Sequence, residues 1–212
     1  MIAKKRYKII VDFFKKVNSV CEIGASDGSF LELLDDNFDK CAVEPNDENR
    51  ERAKKFSDHQ YEYIESLPNS LKFDIICMFH TFEHIKNPNE FLKKCKKHLN
   101  ANGKLIIEVP YIKDPLISLY DSREFKDFYF QAMHPYIYSK KSIKFVLNKA
   151  NFKVDKFIFN QRYGLANHLT WLSKGEPGGN EELEQIFSGV NNYKKALEVK
   201  EITDTFFIIA SY

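Results

Sequence analysis

The chain has 212 residues, which is enough for one sizeable α/β domain, and its 43% hydrophobic content is typical of a globular protein. A net charge of +2 argues against a nucleic-acid-binding protein, whose basic footprint is larger and more clustered. No stretch reaches the roughly 18 apolar residues of a membrane span, and no apolar signal core follows the basic residues 4–6. The four cysteines form no CxxC pair, and this predicts buried reduced thiols in a cytoplasmic protein.

Hydrophobic periodicity predicts helices and strands that alternate along the chain. An amphipathic helix from Tyr7 to Val17 comes first, a buried strand at Val20–Ile23 follows, and a second apolar-periodic helix begins at Phe30. Six further strands are predicted at 41–43, 61–64, 73–79, 105–109, 152–159 and 205–210. Alternation of this kind predicts a doubly wound, seven-stranded, mostly parallel α/β sheet.

Three of the helices between these strands carry signals for their first residue. Asn46 is expected to cap a polar helix that runs to about residue 56, and Ser139 is expected to cap an amphipathic helix. Asn87 precedes Pro88 at the first helical position, and Glu90 is placed to complete a capping box. A last helix is predicted from Leu183 onwards, with Gly189 as a candidate interruption.

Two stretches break the alternation, at about 111–138 and 161–180. Their periodicity is poor, and the first is rich in aromatic residues. Connections of this length inside a compact domain are usually functional or contain short helices of their own. We therefore predict one domain over residues 1–212 with two irregular insertions near its C-terminal half.

The turn after the first buried strand is the main candidate site. Gly24 lacks a Cβ, so the backbone can turn sharply there and approach a ligand, while Gly28 allows the next element to lie close to the strand. Glu44 ends the second strand about twenty residues later, where dinucleotide-type folds use an acid to bind ribose hydroxyls. The alternatives are a plain tight turn and a surface acid.

Four motifs in this order resemble those of class I S-adenosylmethionine-dependent methyltransferases. They are Glu-Ile-Gly-Ala-Ser-Asp-Gly at 22–28, Val-Glu-Pro at 43–45, Phe-Asp-Ile-Ile at 73–76 with His-Thr-Phe-Glu-His-Ile at 80–85, and Gly-Lys-Leu-Ile-Ile-Glu-Val-Pro at 103–110. Motif I with Glu-Pro after strand two is similar to the central domain of sugar C-methyltransferases, without their zinc-binding cysteines or C-terminal domain. Residues 167–172 and 177–179 resemble segments of methyltransferases from surface-polysaccharide gene sets.

The resemblance implies a Rossmann-like methyltransferase fold, S-adenosylmethionine as cofactor and a small-molecule acceptor. Ser26 replaces the usual middle glycine, and Tyr63 stands where an aspartate near the adenine amine is usual, so Glu65 or the backbone of Ile64 and Glu65 would serve there. The implied cofactor-binding residues are Glu22, Gly24, Ala25, Ser26, Asp27, Gly28, Phe30, Glu44, Pro45, Ile64, Glu65, Phe79 and His80.

The pattern His80-x-x-Glu83-His84 has three interpretations. It matches an inverzincin zinc protease, but that motif requires a helix, and here it follows a buried strand. It is also similar to the metal-holding Glu-x-x-Glu-His of some O-methyltransferases, with a histidine in place of the first acid. The third interpretation gives Glu83 a role in loop architecture, as a hydrogen-bond acceptor for nearby backbone amides. We predict no metal ligand.

His134 and His84 are the predicted catalytic bases, because neutral imidazole near pH 7 accepts a hydroxyl proton. The alternative for His134 is a hydrogen-bonded residue of an aromatic loop, and His168 is a third candidate on the second insertion. The sequence thus predicts O-methylation of a sugar, a nucleotide-linked sugar or a related surface-polysaccharide precursor. The alternative is a non-catalytic member of the same fold that binds cofactor or a partner chain.

Overall fold

One sheet organises the computed structural model, which describes residues 2–130, 135–179, 181–187 and 192–212. The strands of the described chain are β1 (Ser19–Ile23), β2 (Asp39–Val43), β3 (His59–Tyr61), β4 (Phe73–Phe79), β5 (Leu99–Pro110), β6 (Lys153–Asn160) and β7 (Thr205–Ser211). Its helices are α1 (Ile2–Ile10), α2 (Asp47–Ala53), α3 (Pro88–Lys97), α4 (Pro115–Ser118), α5 (Arg123–Tyr129), α6 (Lys140–Lys149), α7 (Leu165–Lys174), α8 (Glu181–Ile186) and α9 (Tyr193–Val199).

The strand order is β3-β2-β1-β4-β5-β7-β6. β7 runs antiparallel to both of its neighbours, and the other neighbouring pairs are parallel. This arrangement confirms the predicted seven-stranded, doubly wound α/β fold. The direction of winding reverses between β1 and β4, and open α/β sheets bind ligands outside the carboxyl ends of the strands at such a point. The expected site therefore lies beyond Ile23 and Phe79.

Apolar side chains cover both faces of the sheet. Ile76 of β4 belongs to a cluster that includes Leu92 of α3, whereas Ile75 belongs to the opposite cluster with Ile10 of α1. Burial on both faces explains why β4 is a continuous apolar run rather than an alternating one. All four cysteines are buried free thiols, as predicted. Within the described residues, no helix combines the length and apolarity that a membrane crossing requires.

The prediction of a helix that begins at Phe30 is wrong. The chain forms only a 3₁₀ turn over Leu31–Leu33, and Leu34 is already extended, with ψ near 144°. Asp35, Asp36 and Asn37 follow, and such residues hydrogen-bond locally and favour turns over helix. Phe30 and Leu34 are nevertheless buried, because they pack in the same cluster as α1.

Other boundaries and caps differ in detail. The third strand ends at Tyr61 rather than Ile64, which begins a 3₁₀ turn over Ile64–Ser66. Asn87 precedes α3 as predicted, but its side chain makes no capping hydrogen bond, and Glu90 pairs with Lys93 instead of closing a capping box. Two other cap predictions are confirmed: the Asn46 side chain accepts a hydrogen bond at the start of α2, and the Ser139 side chain does so at the start of α6.

The two insertions contain helices that pack on each other. The first contains α4 and α5, and the second, predicted as irregular, contains the ten-residue helix α7. Phe125 of α5 and Trp171 of α7 meet edge to face with ring centroids 5.0 Å apart, in a cluster with Leu116 and Tyr129. Aromatic residues at helical spacing thus form a small second core. Gly189 lies outside the described residues.

Candidate functional site

The backbone turns sharply where β1 ends. Gly24 has a φ of +76°, and its N–H donates to the Val43 carbonyl at 2.8 Å. A Cβ on Gly24 would lie 2.2 Å from Thr81 Oγ1, so the immediate reason for glycine here is contact with the loop after β4. Gly28 is likewise constrained by protein, because its Cβ would lie 2.9 Å from the Ala53 Cα of α2. The close approach at Gly28 is therefore to α2, and not to β1 as predicted.

Glu44 joins this turn to the end of β2. Its two carboxylate oxygens accept from the backbone N–H groups of Ser26 at 2.8 Å and Asn46 at 2.9 Å. Ser26 adopts the left-handed region with φ near 49°, and a charge-assisted hydrogen bond of this kind stabilises it there. Glu44 is therefore a structural part of the turn, and not merely a surface acid.

Two cavities lie on either side of Gly24. The first has a volume of about 460 Å³, and predicted residues in its lining are Gly24, Pro45, Ile64 and Glu65, together with the candidate base His84. The second has a volume of about 550 Å³, and predicted residues in its lining are Glu22, Gly24, Ala25, Ser26, Asp27, Phe30 and Phe79. Gly28, Glu44 and His80 line neither cavity, although Val43 and Pro45 on either side of Glu44 line the first.

A buried acid lines the second cavity. Glu22 is only 4% exposed, and its Oε2 atom is buried without a hydrogen-bond partner. Burial raises the pKa of Glu22 well above its ordinary value, while the nearby Arg6 acts in the opposite direction. Unpaired buried acceptors are costly, so this oxygen is suited to a cationic or hydrogen-bonding ligand group.

Aromatic and charged groups complete the two cavities. Phe30 and Phe79 pack with ring centroids 4.7 Å apart in the second cavity, and the Arg6 guanidinium lies 5.1 Å from the Phe79 centroid. In the first cavity, Glu65 forms an ion pair with Lys94, and hydrogen bonding to Lys94 lowers the pKa of this carboxyl. The role predicted for Glu65 therefore requires sharing its carboxylate with Lys94.

A polar network that was not predicted from the sequence lies beside the second cavity. Arg6 of α1 donates from Nε to Glu108 Oε2 at 2.5 Å, and Glu108 is only 1% exposed at the carboxyl end of β5. Arg162 follows β6 and pairs through Nε with buried Asp204 at 3.3 Å. Glu108 did carry a signal, because a charged residue inside an apolar strand requires a partner.

His80 lies at the centre of this network. Its Nε2 is 2.8 Å from Arg162 Nη1, and its Nδ1 is 3.2 Å from Glu83 Oε1. Since a guanidinium only donates, Nε2 accepts from Arg162 and Nδ1 carries the proton that it donates to Glu83. Glu83 thus anchors an imidazole, whereas the role predicted from the sequence was to accept from backbone amides. His80 therefore connects the loop after β4 to Arg162 after β6, and it lines neither the first nor the second cavity.

A third cavity, of about 360 Å³, adjoins the second, and most of the residues that line it carry charged or amide side chains. Ile2 and Arg6 line both cavities. The remainder of the third cavity is lined by Lys5, Glu108, Asn160, Gln161, Arg162, Tyr163 and Lys194. It therefore lies between α1, the ends of β5 and β6, and α9.

The candidate bases are in different positions. His134 lies outside the described residues. His84 lines the first cavity and not the third. His168 is 1% exposed, lies 2.6 Å through Nδ1 from the Tyr193 hydroxyl, and has its pKa lowered to about 4 by burial. Among the described residues, no group of three or more His, Cys, Asp and Glu side chains is arranged to hold a metal ion.

S-adenosylmethionine, the expected cofactor, fits the residues around Gly24. The unpaired Glu22 Oε2 offers an acceptor to the positively charged amino group of the methionine moiety. Glu44 uses one backbone N–H on each oxygen, and a carboxylate has about four lone-pair sites, so acceptors remain for both ribose hydroxyls. Ile64 and Phe91 give the first cavity apolar surface suited to an adenine ring.

Comparisons with known proteins concern the family and the fold. A family model described as a methyltransferase domain matches residues 3–156. The fold is similar to an S-adenosylmethionine-dependent methyltransferase from Archaeoglobus fulgidus (23% identity, TM-score 0.67, 100% of this chain and 93% of the other). It is also similar to a possible histamine N-methyltransferase from Thermotoga maritima (22%, 0.58, 98% and 93%) and to a methyltransferase from Clostridium acetobutylicum (12%, 0.61, 99% and 89%). The sequence matches no curated protein closely enough to add to this.

Proposed function

Because the chain belongs to the methyltransferase-domain family and its cofactor is S-adenosylmethionine, we propose that it methylates a hydroxyl group of a small polar acceptor. The acceptor class that we propose is a sugar, a nucleotide-linked sugar or a related precursor of a surface polysaccharide. The resemblance of motif I and residues 167–172 to sugar-modifying methyltransferases supports this class.

The third cavity is the observation that carries the proposal. Its volume of about 360 Å³ lies within the range of small-molecule sites, roughly 300–1,000 Å³. Most of its lining residues are lysine, arginine, asparagine or glutamine, whose polar ends are suited to hydrogen-bond the hydroxyl groups of such an acceptor. Its shared boundary with the second cavity, through Ile2 and Arg6, supports delivery of an acceptor to the methionine end of the cofactor.

The cofactor supplies a methyl group on a sulfonium that is already electrophilic, so the protein mainly aligns the acceptor and excludes water. A hydroxyl acceptor must lose its proton as its oxygen forms the new bond to carbon and the carbon–sulfur bond breaks. We propose His134 as the base that receives this proton, with His84 as the alternative.

Product formation tests the activity. The protein is incubated with S-adenosylmethionine and either a panel of nucleotide-linked sugars or a metabolite extract, and S-adenosylhomocysteine and singly methylated products are measured by mass spectrometry. We expect both products to form together, with the methyl group on oxygen. Tight cofactor binding without any methylated product would contradict the proposal and favour a non-catalytic, partner-binding protein. Methylation of nitrogen or carbon would refute the hydroxyl acceptor.

Variants then test the base. His134→Ala should lower the rate by roughly 10²–10⁴ while cofactor affinity is retained, because the base acts on the acceptor. Calorimetry with S-adenosylhomocysteine provides the affinity, and His59→Ala, a change on the edge strand β3, is the matched control. Loss of activity in His84→Ala but not in His134→Ala would make His84 the base, and loss with a chelator as well would support the metal-assisted alternative around His80, Glu83 and His84.

A further inference from the structure

The third cavity has more positive than negative charge. Four cationic side chains line it, from Lys5, Arg6, Arg162 and Lys194, against the single carboxylate of Glu108. Two of these cations have acidic partners: Arg6 pairs with Glu108 at 2.5 Å, and Arg162 pairs with Asp204 at 3.3 Å. The ammonium groups of the two lysines therefore determine what the cavity can attract.

Neither lysine has an acidic partner in the described part of the chain, since no carboxylate there lies within 4.0 Å of Lys5 Nζ or Lys194 Nζ. Lys194 donates instead to the Arg162 carbonyl at 2.6 Å. Burial lowers the pKa of Lys194, and the charge of Lys5 acts in the same direction. The more distant carboxylates of Glu184, Asp204 and Glu198 only partly oppose this effect. Lys194 is partly buried, and partly buried charges are normally paired, so an anionic ligand is its missing partner, while the exposed Lys5 adds a second positive charge to the same cavity.

The position of this excess charge relates it to methyl transfer. Arg6 lines both the second and the third cavity, so an anion held by Lys5 and Lys194 would lie on the far side of Arg6 from Glu22. The uncharged remainder of the same molecule could then extend toward the methionine end of the cofactor. Charged binding groups of this kind fix the orientation of a substrate whose reacting atom is elsewhere.

We propose that the acceptor carries a phosphoryl group and that Lys5 and Lys194 bind it in the third cavity. This inference rests on the proposed methyl transfer and specifies the acceptor class further. The cavity has two unmatched positive charges, and a phosphate monoester carries about −1.5 to −2 with three acceptor oxygens, whereas a single carboxylate would leave one lysine unmatched. Lysine is a frequent phosphate ligand because its ammonium acts as a compact point charge.

Binding of inorganic pyrophosphate tests the site without requiring turnover. Calorimetry at fixed ionic strength compares pyrophosphate with malonate, using protein saturated with S-adenosylhomocysteine. Lys5→Gln and Lys194→Gln should each weaken pyrophosphate binding by roughly tenfold or more, since each removes a hydrogen bond between charged groups. Lys153→Gln, an exposed change of equal charge at the start of β6, is the control and should leave binding unchanged.

The outcomes separate this inference from the proposed function. Equal pyrophosphate affinity in all four proteins would overturn the site, and malonate binding as tight as that of pyrophosphate would overturn the preference for a phosphoryl group. Retained S-adenosylhomocysteine affinity and thermal midpoint in both variants would show that they are folded, and the exposed position of Lys5 makes its variant the safer of the two. Lysine-dependent pyrophosphate binding without methylation of any acceptor would sustain the anion site while refuting methyl transfer.

Discussion

Glu22→Gln tests whether the unpaired acid of the second cavity binds the cofactor. Oε2 of Glu22 is buried without a partner, and the side chain is 4% exposed. If the amino group of the methionine moiety supplies the missing partner, the variant loses a hydrogen bond between charged groups. Such a bond contributes about 1.5–3 kcal/mol, so we expect cofactor binding to weaken by roughly 10- to 150-fold.

The pH dependence gives a second and more specific readout. Burial raises the pKa of Glu22 in the free protein, and a bound cation would lower it again. Binding should therefore release a proton between the two pKa values, and affinity should rise with pH until the raised pKa is passed. The Gln variant has no titrating group at this position, so its affinity should change less with pH.

Folding stability should move in the opposite direction. A carboxyl whose pKa is raised above its ordinary value of 4.5 favours the folded state only while it is protonated. Its contribution is present below the unfolded pKa and is lost as pH rises through the folded pKa. Glu22→Gln should therefore be at least as stable as the native protein at neutral pH, and its thermal midpoint measures this directly.

Calorimetry in two buffers of different ionisation enthalpy gives both affinity and proton release. Glu32→Gln is the matched control, because Glu32 lines the same cavity but is exposed. We expect this control to bind the cofactor with nearly native affinity and pH dependence. A Glu22→Gln protein with affinity within about threefold of the native value, and with the same proton release, would refute the argument, since about 1.5 kcal/mol corresponds to more than tenfold.

Glu44→Ala should weaken cofactor binding by more than about threefold. It should also lower the thermal midpoint, because charge-assisted hydrogen bonds of about 1.5–3 kcal/mol join Glu44 to the turn. An unchanged midpoint would contradict the structural role of Glu44 in the turn. Gly24→Ala should lower the free energy of unfolding measured by urea denaturation. Combining it with Thr81→Gly should restore only part of that free energy, because the clash with Thr81 is relieved but the strained φ of +76° remains. Burial lowers the pKa of His168 from 6.5 to about 4, so stability should fall as pH falls through that window, and His168→Gln should flatten the decline measured by denaturation at pH 7 and pH 5.

The parts of the fold that the sequence predicted are those set by short-range pattern. The apolar run Phe73–Phe79 gave β4 with its observed bounds, and Ser139 marked the start of α6 correctly. The prediction of a helix after Phe30 was wrong because the apolar pattern there covers only about one helical turn. The three turn-favouring residues that follow Leu34 end it. α7 was missed because its burial depends on contact with the first insertion, as in the packing of Phe125 on Trp171.

The sequence predicted those parts of the candidate site whose residues are close together along the chain, and not those whose residues are far apart. The turn residues and Glu44 lie within about twenty residues of one another, so their spacing was informative. By contrast, the pair between Arg6 and Glu108 joins residues 102 positions apart, and that between Arg162 and Asp204 joins residues 42 positions apart. No local pattern encodes such pairs, because the sheet topology alone brings their elements together.

The two glycines of the turn mark the position of the candidate site, but their own contacts do not identify the groups that bind a ligand. A Cβ would clash with Thr81 at Gly24 and with Ala53 at Gly28, so both glycines are already required by the surrounding protein. The groups suited to bind a ligand are their neighbours, above all the unpaired oxygen of Glu22. Substituting a glycine therefore disturbs the scaffold and the ligand site together. Changes at Glu22 or the lysines of the third cavity separate these effects, because they remove charge without altering the backbone.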